Sequence, residues 1–172
     1  MKTGTNNEMR TALVLFKDFF SDYNANSLSK KMNLSSMGTL KILKKLESQD
    51  IVISKKMGKA VFYKINFNGS YAKNYLQFIL QKEAEESAPR IKRWVKELRQ
   101  LENNSEIGII FGSVLNKEDF KDIDFLVILN QPQNIKLNEQ FEKINKINLK
   151  KIHIIKQTEE DYKKNIKKRD KI

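Results

Sequence analysis

Apolar positions in the first third of the chain recur at helical spacing in three stretches. Leu13, Phe16 and Phe20 lie on one side of the first stretch, and Leu43 and Leu46 lie on the inner side of the third. Polar residues interrupt the pattern between the stretches, and Ser35 or Ser36 precedes the third as its N-cap. The spacing predicts helices over about 8–21, 27–32 and 36–50.

The period then changes from helical to alternating. Residues 51–53 and 60–65 are rich in β-branched and aromatic side chains and predict two strands. The residues between them include three lysines and one glycine, Gly58. A glycine among polar residues between two strands is typical of a hairpin tip. We therefore expect a basic hairpin directly after the third helix.

Two further apolar stripes at helical spacing occupy residues 68–104. The second stripe restarts at Pro89, a residue favoured in the first turn of a helix, and includes Trp94 and Leu98. A stripe of this kind is more often a core or an interface than a cofactor site. We expect these helices to link two domains or to pair two chains in a homodimer.

The last third alternates between strands and helices. Strands are predicted over 107–111, 122–129 and 151–155, and the first of them is expected to be buried. Helices are predicted over 134–147 and from 159 to the end. The fold class is therefore α+β, with a helical N-terminal half and a small mixed sheet in the C-terminal half.

Composition excludes several kinds of site. The chain has 33 Lys and Arg against 21 Asp and Glu, a net charge of +12, with no cysteine and one histidine. Disulfides, thiolate chemistry and Cys-rich or His-rich metal centres are therefore excluded. Residues 24–67 hold nine basic and two acidic residues, which is more than half of the net charge. Codon bias would spread the lysines evenly, so this concentration favours a surface for a polyanion such as nucleic acid.

The helices and the basic hairpin carry a resemblance. Residues 28–53 look like the winged helix-turn-helix of prokaryotic transcription regulators, and the string Gly-Lys-Ala-Val-Phe-Tyr-Lys-Ile-Asn at 58–66 is similar to their wing. A helix fits the major groove of duplex DNA, and lysines on a hairpin can reach the flanking phosphates. The expected DNA-binding residues are Ser36, Met37, Leu40, Lys41 and Lys44 on the third helix and Lys55, Lys56 and Lys59 on the hairpin. A basic module for protein interaction is the alternative.

The C-terminal strands carry a second resemblance. Phe111-Gly112-Ser113, followed by Asp122-Ile123-Asp124 at the start of a strand, resembles the minimal nucleotidyltransferase domain of the DNA polymerase beta superfamily. The resemblance implies that Gly112 and Ser113 bind the phosphates of a nucleoside triphosphate, and that Asp122 and Asp124 hold Mg²⁺ and are the candidate catalytic residues. The alternative is that both carboxylates are ordinary acids at a strand end.

The sequence departs from this second pattern. His153 stands where the family's third carboxylate is expected, and the spacer before Asp122 is only eight residues. Loss of a metal-activating carboxylate removes transition-state stabilisation from a two-metal enzyme. We therefore expect a degenerate or weakly active domain that serves sensing, assembly or protein contact, rather than an enzyme. His153 as a substitute metal ligand is an alternative.

Together these features predict three parts: a winged helix over 1–67, a helical linker over 68–104 and a nucleotidyltransferase-like domain over 105–172. The expected function is that of a transcriptional regulator that binds double-stranded DNA as a homodimer, with a transcription-machinery protein as a further candidate partner. The competing hypothesis is an active, Mg²⁺-dependent nucleotidyltransferase that transfers a nucleoside monophosphate to protein or RNA. No apolar run of 18 residues and no signal-peptide core is present, so a cytoplasmic location is expected and a membrane partner is not.

Overall fold

A computed structural model describes residues 6–131 and 135–168. The chain divides into two units, and the boundary lies between Glu85 and Glu86. None of the helices in the described ranges combines the length and apolar character that a membrane-spanning segment needs.

The first unit contains four helices and a small antiparallel sheet. Its elements are α1 (Asn6–Lys17), β1 (Tyr23–Asn24), α2 (Ala25–Met32), α3 (Ser36–Ser48), β2 (Val52–Met57), β3 (Ala60–Ile65) and α4 (Ser70–Glu86). The strand order is β1-β3-β2, and both pairings are antiparallel. The three predicted helices and the predicted hairpin are therefore present in the predicted order.

The core of the first unit lies between these helices and one side of the hairpin. Leu28 of α2 and Leu43 and Leu46 of α3 are fully buried there, and Ile79 of α4 packs against the same cluster. On α3 the buried positions are three or four residues apart, so its opposite side is left for solvent. The hydrophobic core thereby fixes which side of α3 is exposed.

The segment between the first two helices differs from the prediction. Helix α1 ends at Lys17 rather than near residue 21, because the next side chain, Asp18, accepts hydrogen bonds from Ser21, Tyr23 and Lys31. Tyr23 is then free to pair with Tyr63 of β3 in the two-residue strand β1. A contact between positions 40 residues apart has no local signal in the sequence.

The second unit contains a three-stranded mixed sheet with helices around it. Its elements are α5 (Pro89–Leu98), a 3₁₀ turn (Arg99–Asn104), β4 (Ile107–Phe111), α6 (Ser113–Asn116), β5 (Ile123–Leu129), α7 (Ile135–Ile147), β6 (Ile152–Thr158) and α8 (Glu159–Lys168). The strand order is β4-β5-β6, with β4 antiparallel and β6 parallel to β5. Helix α7 makes the crossover that the parallel pair requires.

The prediction that residues 107–111 form a buried strand is wrong. Strand β4 lies at an edge of the sheet, and only one of its faces is covered. Gly108 and Ile110 point to the core, where the ring of Phe125 lies against Gly108. Ile107 and Ile109 point to the other face and remain 49% and 37% exposed. An uninterrupted apolar run therefore did not distinguish a central strand from an exposed edge strand.

The stretch predicted as a helical linker is shared between the two cores. Leu76 and Ile79 of α4 pack in the core of the first unit. Trp94, Leu98 and Leu101 pack in the core of the second unit, beside β5 and α7. Pro89 is the first residue of α5, as predicted. Each apolar stripe thus has a covering inside its own unit.

Candidate nucleic-acid interface

Helix α3 presents one side to solvent from a firmly capped start. The side chain of Ser35 accepts a hydrogen bond from the backbone N–H of Gly38 at 3.1 Å and satisfies one free donor of the first turn. Met37 is 66% exposed, and Lys41 and Lys44 follow it on the exposed side. Leu40 is half-buried and packs against the core, so less of it is available to a ligand than the sequence pattern predicts.

Ser36 is exposed but its hydroxyl is already engaged. It donates to the Oδ1 atom of Asn26 at 3.1 Å and lies 3.1 Å from the hydroxyl of Ser29. Both partners belong to α2, so Ser36 joins the start of α3 to the preceding helix. This contact holds the angle between the two helices. The sequence pattern identified Ser36 as a surface position but gave no signal of this second role.

Strands β2 and β3 form a hairpin with a two-residue turn. Met57 pairs with Ala60, which leaves Gly58 and Lys59 as the tip. Gly58 has a φ of +60°, in the left-handed region that glycine adopts without steric cost. The first unit therefore has the element order of a winged helix-turn-helix: a helix, a short strand, two helices joined by a tight turn, and a hairpin. Its hairpin lies where such a fold has its wing, and we call it the wing.

The lysines of the wing do not all lie on one side. The prediction placed Lys55 and Lys56 in the connection between two short strands, but β2 extends to Met57 and includes both. Neighbouring residues of a strand point to opposite faces, so these two lysines diverge. Lys59 lies in the turn itself, and all three are exposed. The wing therefore offers cationic groups around its tip rather than in a single row.

Ion pairs within the first unit neutralise some of the lysines of residues 24–67 and leave others unneutralised. Acidic residues neutralise three of the nine. These pairs, each with an N–O distance of 2.6–2.9 Å, are Lys31 with Asp18, Lys45 with Glu8, and Lys64 with Asp22. Within residues 6–131 and 135–168, no carboxylate forms an ion pair with any of the other six, which are Lys30, Lys41, Lys44, Lys55, Lys56 and Lys59. All five lysines predicted to bind DNA belong to this unneutralised group.

The ion pair between Lys45 and Glu8 ties α3 to α1. The Nζ atom of Lys45 lies 2.6 Å from Oε1 of Glu8, whose side chain is buried. An acid inside a helix-helix interface is stabilised by a cationic partner of this kind. Sequence reasoning missed Glu8, because a single acid on an amphipathic helix has no distinguishing local pattern.

A second cluster of polar side chains, centred on Asp18, lies next to α2. The ammonium group of Lys31 and the hydroxyls of Ser21 and Tyr23 hold the pKa of Asp18 well below its usual range. The same carboxylate raises the pKa of Lys31. Asn24 begins α2 with a reciprocal capping contact to Ser27. The helix-turn-helix is therefore positioned by polar contacts at its start as well as by its core.

The second unit brings together three of the residues that the sequence singled out. Gly112 has a φ of +79°, and a Cβ atom built there would lie 2.0 Å from Oδ2 of Asp124. The other carboxylate oxygen of Asp124 lies 3.5 Å from Nδ1 of His153, its register partner on β6. Asp122 is exposed and lies just before β5, while Ser113 begins the short helix α6.

This arrangement does not fit the two-metal site that the second resemblance implies. Within the described ranges, no three Asp, Glu, His or Cys side chains are close enough together to hold a metal ion. His153, the register partner of Asp124 on β6, is not an acid, and the Asp124 carboxylate lies between its ring and the backbone of Gly112. A binuclear Mg²⁺ site needs several carboxylate oxygens that converge on the ions. We derive no transfer step through this cluster.

Comparison with known proteins adds little to this geometry. No protein-family model and no curated protein sequence matches the chain. The adhesin competence repressor AdcR from Streptococcus pyogenes matches 56% of this chain and 66% of its own, just under two thirds, with 17% identity and a TM-score of 0.41. The homodimeric winged helix-turn-helix DNA-binding domain of Mb0332 from Mycobacterium bovis matches 46% and 70%, with 14% identity and a TM-score of 0.39.

A MarR family protein from Bacillus stearothermophilus matches 58% of this chain and 74% of its own, with 17% identity and a TM-score of 0.39. Likeness at this level gives no basis for transferring a function. The assignment of the first unit therefore rests on its own element order, core and hairpin.

Proposed function

We propose that the protein is a transcriptional regulator that binds double-stranded DNA through its winged helix. Helix α3 enters the major groove with Met37, Lys41 and Lys44, and the lysines of the wing contact the flanking phosphates. One observation carries the proposal. The internal ion pairs leave unneutralised the five lysines on the solvent side of α3 and on the wing.

Duplex DNA fits this surface better than a protein partner does. The cationic groups stand on an exposed helix and on a hairpin beyond it, which is how a groove and its two phosphate rows are contacted together. A protein partner would need acidic groups at the same spacing, whereas DNA carries phosphates at regular intervals along any sequence. Binding as a homodimer, with each copy on one half-site, completes the proposal.

Affinity measured across a salt series tests DNA binding directly. Each phosphate neutralised by a lysine releases counterions, so the logarithm of the binding constant falls by about 0.9 per contact for each unit of log salt. Fluorescence anisotropy on random duplex DNA is expected to show a steep slope for the wild type. For Lys41→Ala/Lys44→Ala the slope is expected to be shallower by about 2.

The matched control removes a lysine of the same unit that lies on α4. Lys73 is exposed, and Lys73→Ala is expected to shift the slope by less than half of the change in the double variant. A flat salt dependence in the wild type would reject DNA binding. A change in Lys73→Ala of half that of the double variant or more would show that overall charge, rather than α3, determines the affinity.

The second unit acts in this proposal through sensing, assembly or protein contact rather than through catalysis. Support comes from the Asp124 carboxylate, which contacts His153 instead of a converging set of acids. Incubation with labelled nucleoside triphosphates and Mg²⁺ or Mn²⁺ is expected to leave protein and RNA unlabelled. Labelling by the wild type that disappears in Asp122→Ala/Asp124→Ala would establish the nucleotidyltransferase instead.

A further inference from the structure

Strand β4 is an edge strand without the features that usually protect such an edge. Its five residues, Ile-Gly-Ile-Ile-Phe, include no charge and no proline. The opposite edge strand, β6, carries His153 and Lys156, and helix α8 follows it. Natural proteins commonly place a charge, a proline or a covering element at a sheet edge, because unpaired backbone groups accept foreign strands. An unprotected edge in a folded chain indicates a strand partner.

The outer face of the same strand is apolar as well. Ile107 and Ile109 are exposed there, although their register partners Ile128 and Leu126 on β5 are buried. The exposed face and the open edge of β4 are therefore continuous. A partner strand laid along the edge would cover the aliphatic side chains and satisfy the outward backbone groups together.

We propose that the partner is a second copy of β4, paired antiparallel across a two-fold axis at Ile109. In this register Ile107 opposes Phe111 of the other copy, Gly108 opposes Ile110, and Ile109 opposes itself. Every pair is apolar, so the strand is complementary to its own copy, as a two-fold interface requires. The result is one continuous six-stranded sheet.

Charge along the strand does not prevent a second copy from pairing, although each chain has a net charge of +12. The acid that flanks the strand, Glu106, would lie opposite Gly112 of the other copy, so no two like charges oppose each other along the strand. The contact is small. Five residues from each copy bury less surface than stable protein interfaces do, which is about 1,200 Å² or more. We therefore expect a dimer whose dissociation constant lies in the micromolar range. This inference does not depend on DNA binding.

Single cysteines test the register, because the chain has no cysteine of its own. Directly opposed residues of antiparallel strands have Cα atoms about 4.5–5.5 Å apart, which a disulfide spans. Ile109→Cys is therefore expected to form a covalent dimer under mild oxidation. The control is Leu149→Cys at a fully exposed position on the same unit. Its cross-linking by random collision is expected to be at least about tenfold slower.

Sedimentation equilibrium of the full chain provides a second measurement. The wild type is expected to dimerise with concentration, and Ile109→Lys is expected to weaken the dimer at least tenfold, with an unchanged circular dichroism spectrum. Equal oxidation rates for the two cysteine variants would overturn the proposal. So would a wild type that stays monomeric throughout the micromolar range, or a dimer that Ile109→Lys leaves intact. None of these results bears on the salt dependence of DNA binding, so DNA binding and the pairing of β4 fail separately. A wild type that stays monomeric would also remove the homodimer from the proposed function.

Discussion

The carboxylate of Asp124 occupies the space that a side chain on Gly112 would need. A Cβ atom at position 112 would lie 2.0 Å from Oδ2, well inside any permissible contact, and the φ of +79° disfavours every residue except glycine. The Gly-Ser turn after β4 and the first carboxylate of β5 are therefore fitted to each other.

Gly112→Ala is expected to destabilise the protein by about 3 kcal/mol, because it combines backbone strain with displacement of Asp124. The control is Gly58→Ala at the tip of the wing. Its φ of +60° is also positive, but it lacks the nearly extended ψ of −152° that makes the backbone of Gly112 accessible to glycine alone, and no atom lies within 4 Å of the added Cβ. The expected loss is therefore about 1 kcal/mol. Urea unfolding of both variants measures the difference, and equal losses would mean that the contact with Asp124 contributes nothing.

The polar group around Asp18 predicts a dependence on pH. Because Lys31, Ser21 and Tyr23 lower the pKa of the Asp18 carboxyl, the folded state favours its ionised form. That contribution is complete above the carboxyl's unfolded pKa of about 4 and is lost gradually as the pH falls from there towards the lower pKa of the folded state. Asp18→Asn is expected to cost about 1 kcal/mol at pH 7, a value limited by partial exposure to solvent, and measurably less at pH 3.

Urea unfolding at the two pH values provides the measurement. Asp22→Asn is a suitable comparison, since Asp22 also pairs with a lysine, Lys64, but on a more exposed surface. It is expected to change stability little at either pH. A loss in Asp18→Asn that is the same at pH 7 and pH 3 would contradict the interpretation.

Two buried threonines differ in whether their hydroxyls are satisfied. Thr39 of α3 is fully buried, and its hydroxyl has no hydrogen-bond partner among the described residues. Thr11 of α1 is equally buried, but its hydroxyl donates to the carbonyl of Asn7 at 2.7 Å. Thr39→Val is therefore expected to stabilise the protein by about 1 kcal/mol, whereas Thr11→Val is expected to destabilise it by a similar amount. If thermal unfolding shows that both variants are more stable than the wild type, or that both are less stable, this explanation from hydrogen bonding is contradicted.

Met37 is the most exposed large apolar residue of α3 and lies in its first turn. In the proposed complex it makes an apolar base contact and does not contact phosphate. Selection of bound duplexes from a random library is expected to yield a less defined sequence for Met37→Ala than for the wild type. The salt slope is expected to stay the same, because no charge changes. A change in slope with unchanged sequence preference would assign Met37 to another role.

Local patterns in the sequence account for much of the first unit. The spacing of Leu43 and Leu46 identified the buried side of α3, and Gly58 identified the hairpin tip, because each signal depends on neighbours a few residues away. The end of α1 and the strand β1 depend on Tyr23 meeting Tyr63, which no local pattern records. The exposure of Ile109 likewise depends on the order of the strands in the sheet.

The candidate sites show the same division. The lysines on α3 and the wing were identifiable from residue type and spacing. Which lysines are neutralised depends on Asp18, Glu8 and Asp22, and these acids lie outside the basic stretch. In the second unit the sequence singled out His153 as a departure from the acid that the resemblance implies. Only the structure shows that its ring faces Asp124.

The internal ion pairs of the first unit also affect how the protein would travel on DNA. They confine the unneutralised lysines of the basic stretch to α2, α3 and the wing. Attraction to phosphate is the same at every position along a duplex, so it favours one orientation of this unit without favouring one site. In the proposed complex the protein would slide while α3 stays in the groove, and each step would test a new register of bases. Target search would then be a one-dimensional scan with the reading helix already in place.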